Sequence, residues 1–275
     1  MAVTETMPDT DAVRTTESVR GRSSVADETV VVTGASSGIG RAIAETFVAD
    51  GADVVICSRT QADVDAVAEE LNAADRPGSA FAVECDVTDR DSVASFADAT
   101  VEEFGGVDVL VNNAGGAGPG APLHGVEPDD WDGVIEVNLT GTYNVTRAFA
   151  DALREDGGAV VNTSSMAGRY GVARMGPYSA AKAGVSALTR TLAVEWAGDD
   201  VRVNAVEPGF IATPAVREWL GVEEMPERDP VDRTVGTPEE VADAVRFLAS
   251  DAASFVTGQT LSPTGPPNTF EPPAD

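Results

Sequence analysis

The chain has 275 residues, 46 acidic against 18 basic, for a net charge of −28; such a body repels nucleic acid and anionic membrane surfaces. Its hydrophobic content of 43% suffices for a core and excludes a wholly disordered chain. No apolar run approaches the roughly 18 residues of a membrane span.

Residues 1–27 show no sustained period of 2 or 3.6 and are rich in Thr, Ser and Asp. They read as a mobile acidic tail. The tail lacks the basic start and apolar centre of a secretory signal, so a soluble, cytoplasmic protein is expected. Residues 29–33 form a short β-branched run suited to a strand buried on both faces. Gly34, Gly38 and Gly40 follow, then a helix-periodic segment over 41–50 that stops at Gly51. Strand, glycine-rich turn and helix begin a nucleotide-binding βαβ unit. The glycines let the backbone approach a pyrophosphate, which sits on the free N–H groups of the helix start.

The second strand, 53–57, ends at Ser58 and Arg59. An acid at this strand end binds a ribose 2′-hydroxyl in such folds. Here an arginine offers a fork suited to a 2′-phosphate, which favours NADP over NAD. A helix over 61–74 and a third strand over 80–85 lead to Asp86. A helix over 91–104 and a fourth strand over 107–111 lead to Asn112 and Asn113. A glycine-rich loop, 115–121, precedes one long helix predicted from Pro128 to about Arg154. The fifth strand, 159–163, delivers Ser164 and Ser165, and a helix over 177–196 carries Tyr178 and Lys182. The sixth strand, 201–206, ends at Glu207, Pro208 and Gly209. Residues 210–236 are mostly irregular, with a short helix near 216–220, and read as a substrate lid. A last helix over 239–250, a final strand over 256–261 and a Pro-rich end complete the chain. Strands alternate with helices throughout, which predicts a doubly wound α/β parallel sheet of about seven strands, helices on both faces. Six strand ends therefore point at one crevice.

Cys57 and Cys85 lack C-x-x-C spacing, and His124 is the only histidine. Two reduced cysteines in or beside the core and no structural metal are expected.

Tyr178 and Lys182 stand four apart, on one face of a helix, and Lys182 is the only lysine in the chain. An isolated phenol titrates near pH 10. A lysine cation close by lowers that value toward the working pH of an acid/base. Ser165 sits where its hydroxyl can hold a substrate oxygen beside the phenol, with Ser164 as its rival. The spacing alone also fits an ordinary helix-surface or core pair.

The chain resembles the short-chain dehydrogenase/reductase family over about 28–262. The resemblance is carried by Thr33-Gly34-x-x-x-Gly38-x-Gly40, Asp86, Asn112-Asn113-Ala114-Gly115, Asn138, Ser165, Tyr178-x-x-x-Lys182, Pro208-Gly209 and Thr213. It implies a single-domain Rossmann fold over 28–265 between an N-terminal tail, 1–27, and a Pro-rich C-terminal tail, 266–275. It implies an alcohol–ketone or alcohol–aldehyde oxidoreductase similar to 3-oxoacyl reductases, with NADP or NAD as cofactor. By the resemblance Asn138, Ser165, Tyr178 and Lys182 are catalytic: Tyr178 the acid/base, Ser165 orienting the substrate, Lys182 also bonding the nicotinamide ribose, Asn138 holding a water relay. The cofactor would lie along Gly34, Ser36, Ser37, Gly38, Ile39 and Gly40, then Arg59, Asp86 and Val87. It would continue along Asn113, Ala114 and Gly115 to Tyr178 and Lys182, ending at Pro208, Gly209, Ile211 and Thr213. A pocket bounded by 115–125, 166–176 and 210–230, with Met166, Tyr170, Met175, Phe210, Trp219 and Leu220, suggests a partly apolar substrate. A homo-oligomer, tetramer or dimer, is expected as well. Other uses of the same fold are a non-catalytic dinucleotide-binding regulator and a dehydratase or epimerase.

Three features depart from the family: Glu207 where a small residue is usual, Leu261-Ser-Pro at the C-terminal strand, and the long N-terminal tail. The altered C-terminal end puts the usual tetramer contact in doubt. The acid-rich, lysine-poor composition resembles proteins of halophilic archaea, in whose salt the Debye length falls to about 3 Å.

Overall fold

The computed structural model describes residues 21–220 and 233–266. Most of the predicted N-terminal tail, the middle of the lid, the side chains of Trp219 and Leu220 and nearly all of the C-terminal tail lie outside the described residues.

Seven strands form one parallel sheet: β1 (Thr29–Thr33), β2 (Asp53–Ser58), β3 (Ser79–Glu84), β4 (Val109–Asn112), β5 (Gly158–Thr163), β6 (Val201–Val206) and, after the short β7 and β8 described below, β9 (Thr260–Leu261). Their order is β3-β2-β1-β4-β5-β6-β9. The order reverses direction between β1 and β4, so a crevice opens over their carboxyl ends. β1 shows why the sheet is covered on both sides. Val30 and Val32 join one apolar cluster with Ile43, Phe47 and Leu248. Val31 joins the opposite cluster with Phe96, Leu110 and Phe149. Alternate side chains of a pleated strand point to opposite faces, and here both faces are apolar.

On the first face lie α1 (Gly38–Asp50) and α2 (Gln61–Ala73). The other face carries α3 (Arg90–Phe104), whose first turn is capped by Asp89 accepting from Asp91 N and Ser92 N. Phe96 of α3 meets Phe149 edge to face, ring centres 5.4 Å apart, a favourable aromatic geometry.

The long helix predicted over 128–154 is not continuous. It divides into α4 (Pro128–Ile135), a π turn (Glu136–Thr140), α5 (Gly141–Ala148) and α6 (Ala150–Glu155). The apolar period sees only a continuous stripe. At the π turn the Asn138 side-chain amide donates to Val134 O at 2.8 Å and to Gly116 O at 2.9 Å, and at Phe149 the backbone leaves helical values, at φ −91° and ψ 2°. A side chain inserted into the helical ladder widens one turn.

The stretch after Ser165 forms a short helix, α7 (Met166–Tyr170), too brief for a hydrophobic period to register. α8 (Gly176–Glu195) carries Tyr178 and Lys182. Within 210–236, β7 (Phe210–Ile211) pairs in parallel with β8 (Val235–Gly236), and α9 (Pro214–Leu220) lies between them in sequence. α10 (Pro238–Ala249) then packs beside α1. The final strand is shorter than predicted. Only Thr260 and Leu261 pair with β6. Upstream, Thr257 Oγ1 and the Val256 carbonyl take β6 donors at 3.0 and 2.7 Å, and Gly258 turns the chain at φ 69°.

Candidate active site

The cleft over the carboxyl strand ends has a volume of about 970 Å³. Every cofactor-binding and catalytic residue proposed from the sequence lines it, from Arg59 and Asp86 at one end to Tyr178 and Thr213 at the other.

The glycine turn is built for close approach. Gly34 lies at φ 67°, and a Cβ there would fall 2.8 Å from Ala114 Cα. At Gly40 a Cβ would meet Gly34 O at 2.3 Å and Asn113 Nδ2 at 2.4 Å. Substitution at either is barred by backbone contacts, not by taste for flexibility. Ser37 makes no side-chain cap, and the first turn of α1 holds no acid. The helix therefore opens uncapped on the cleft, with its positive end available to a phosphate. A dinucleotide fits this cradle.

Thr33 ties the two strands flanking the crevice. Its hydroxyl accepts from Asn113 N and Ala114 N, both at 3.0 Å, while Asn113 Nδ2 donates to Thr33 O at 3.0 Å and to Gly34 O at 3.2 Å. Asp86 accepts from Thr88 N and Thr88 Oγ1, which locks its carboxylate in a turn. The Ser58 hydroxyl is engaged with Thr60 at the end of β2. Arg59 beside it is exposed, with no carboxylate within ion-pair distance among the described residues.

At the other end the two serines separate. Ser164 is buried and bonds the Lys182 carbonyl at 2.9 Å and the Ser186 hydroxyl at 2.7 Å. It fastens β5 to α8. Ser165 is less enclosed, caps Ala167 N at 3.1 Å and stands near enough to the Tyr178 phenol to lower it. Lys182 is buried, donates to Thr163 O at 2.7 Å and sits 5.6 Å from the Tyr178 ring centre. Asn138 is fully buried in the π turn, its amide satisfied by Val134 and Gly116 at both ends.

The electrostatics correct one expectation. Burial pushes the Tyr178 phenol above its ordinary value, and the nearby Ser165 hydroxyl only partly opposes this. Lys182 does not hold it down in this state. The same burial lowers the Lys182 amine to about 8. Desolvation penalises both charged forms more than their mutual attraction at this separation favours them.

The partners of two groups escaped sequence reasoning. Glu207 is almost fully buried and accepts from Arg169 Nη1 at 3.1 Å and Ser262 Oγ at 3.0 Å. Two of the departures from family pattern, at Glu207 and at the C-terminal strand, are thus one contact. The acid is unusual in its place, which was the available signal, but its partner 38 residues earlier was not readable. Cys57 and Cys85 are free and buried on the wall of the cleft, and their thiols are near enough to shift each other's titration in opposite directions. Their positions at successive strand ends were legible; their proximity was not.

Residues 34–265 match the family profile described as enoyl-(acyl carrier protein) reductase. The chain is 47% identical over 246 residues to cis-4-hydroxycyclohexanecarboxylate dehydrogenase of Sinomonas cyclohexanicum, covering 87% of this chain and 96% of the relative. It is 41% identical to a 3-oxoacyl-[acyl-carrier-protein] reductase of Thermotoga maritima, covering 86% and 95%. Among solved structures it is similar to 7α-hydroxysteroid dehydrogenase complexed with NADH and 7-oxo glycochenodeoxycholic acid. The TM-score is 0.81 at 32% identity, covering 90% of this chain and 96% of that one.

Proposed function

The chain belongs to the short-chain dehydrogenase/reductase family and is an oxidoreductase that interconverts an alcohol and a ketone or aldehyde with a nicotinamide cofactor; we propose the following roles for its residues. The single observation that carries them is the meeting of Ser165, Tyr178, Lys182 and Asn138 at one end of a cleft whose other end is a glycine phosphate cradle.

A nicotinamide bound along the cleft would supply or accept the hydride. Ser165 holds the substrate oxygen and Tyr178 gives or takes its proton at the phenol. Lys182, fixed by Thr163 O, keeps further donors for the cofactor ribose and titrates close enough to neutrality to hold or release a proton. Asn138 has its side-chain amide fully engaged, so it shapes the relay wall beside Gly116 and does not swing into it.

NADP is the proposed cofactor. The support is Arg59, exposed and unpaired by any described carboxylate at the adenosine end, where Ser58 stands in place of an acid. The relatives named for a hydroxycyclohexanecarboxylate and for 3-oxoacyl groups support a small ring or chain ketone.

The net charge of −28 supports a salt-rich setting, and the two free cysteines support a reducing cytoplasm. No helix among the described residues is long and apolar enough to cross a membrane. Val194 and Phe255, large apolar side chains left in water, support burial against further copies of the chain.

The test is reduced-nicotinamide absorbance with a panel of ketones and alcohols in concentrated salt. Turnover of any member with NADP supports the assignment. Clear cofactor binding without turnover of any substrate would favour a non-catalytic binding protein.

A further inference from the structure

Arg174 stands in left-handed backbone at φ 68°, a conformation that glycine adopts freely and arginine does not favour. Such a residue persists only where its surroundings hold it. Its carbonyl accepts from Ala121 N at 3.0 Å, and Ala121 and Met175 form an isolated bridge. A glycine would serve that backbone stitch equally well. The guanidinium needs its own explanation.

Arg174 Nη2 donates to Gly120 O at 2.8 Å. Gly120 continues the loop whose residues Gly116, Gly118 and Pro119 line the cleft. Arg174 itself precedes α8 by two residues and Tyr178 by four. It is exposed, and no carboxylate lies within 4.0 Å among the described residues. A guanidinium fixed through one nitrogen keeps its other donors oriented for a planar anion. On the same rim, exposed Leu123 reaches to 3.1 Å of the place a Gly176 Cβ would take. The rim thus pairs an apolar flank with a positioned cation.

We propose that the substrate carries a carboxylate, separated from its carbonyl or carbinol by a short apolar spacer, and that Arg174 receives it. The proposal rests on the oxidoreductase reading of the cleft. The reacting oxygen meets Ser165 and Tyr178, the spacer lies by Leu123, and the carboxylate replaces water on the free edge of the guanidinium.

The experiment compares 4-oxocyclohexanecarboxylate with its methyl ester as substrates for the wild-type chain, Arg174→Gly and Arg174→Lys. Glycine keeps the left-handed backbone and removes the guanidinium. Because each variant is read as a ratio of two substrates, loss of folded protein cancels. The wild type should prefer the carboxylate by about tenfold or more in kcat/KM, chiefly through KM. Arg174→Gly should bring the ratio toward one, and Arg174→Lys should keep part of it. Turnover of both ketones without preference in the wild type, or an unchanged ratio in Arg174→Gly, overturns the carboxylate proposal and leaves the oxidoreductase reading standing. An enzyme that binds cofactor yet reduces no ketone of a broad panel overturns both.

Discussion

Lys182 gives its buried amine to the carbonyl of Thr163 across 2.7 Å, and this bond places the only lysine of the chain between the end of β5 and the phenol of Tyr178. The burial that accompanies it lowers the amine to about 8. Because there is one lysine, incorporation of ε-15N-lysine gives a single side-chain resonance. That resonance should titrate near pH 8 in the cofactor-free protein. A midpoint near 10.5, the ordinary value, would contradict the described burial. Lys182→Arg should lower kcat/KM by about 10²-fold or more, because a wider guanidinium cannot take the place of a compact ammonium donor beside Thr163. Near-wild-type turnover would remove Lys182 from the proposed mechanism.

Arg59 sets the second prediction. Arg59→Ala should weaken NADP binding by about tenfold to a hundredfold, the worth of a charge-assisted bond to phosphate, and leave NAD affinity within about twofold. Equilibrium titration of both cofactors, followed by intrinsic fluorescence, measures this. Equal losses for the two would mean that Arg59 does not read the 2′-phosphate.

Glu207 and Arg169 give a third. Arg169→Ala leaves a nearly buried carboxylate with only Ser262 as partner. The partner arginine is more than half exposed, so Arg169→Ala should lower the denaturant midpoint only modestly. Glu207→Gln keeps an acceptor for Arg169 and should cost less than Arg169→Ala. The reverse order would show that the charge of Glu207, and not its hydrogen bonds, dominates there.

At the opposite end of the sheet, burial together with Asp108 raises Glu28 to about 7. A carboxyl raised in the folded state stabilises the fold while protonated. Its contribution is complete below the ordinary value of 4.5 and is lost as pH climbs through about 7. Glu28→Gln should therefore raise the melting temperature at pH 8 relative to wild type, with the gain shrinking toward pH 5. A gain of equal size at both pH values would show that this ionisation is not involved. Concentrated salt must be held constant across the comparison, since it screens the neighbouring acids.

Most of the candidate site residues read from the sequence line one cleft, because strand ends are short-range facts. Val30 to Val32, the glycines that follow and the helix after them specify a turn whose geometry depends on neighbours within a dozen residues. The same holds for Tyr178 and Lys182 on one helix face. Reading Ser165 ahead of Ser164 was less secure. Both follow β5 directly, and only the packing of α8 against that strand shows Ser164 engaged with Lys182 O and Ser186. The π turn at Asn138 was invisible for a related reason. Hydrophobic period reports which side of a helix is buried, and not whether a polar side chain has entered the ladder.

By itself, then, the sequence determined a parallel α/β sheet, a dinucleotide crevice, a Tyr–Lys pair and an acidic surface, since each follows from local spacing or composition. Tertiary structure alone decided what faces what. It joined Glu207 to Arg169 and Ser262, set Cys57 against Cys85, and held Arg174 to Gly120 at the rim. It also reversed the expected direction for Tyr178. A lysine four residues away suggests a stabilised phenolate, but desolvation depends on everything packed around the pair, and here it outweighs attraction between them.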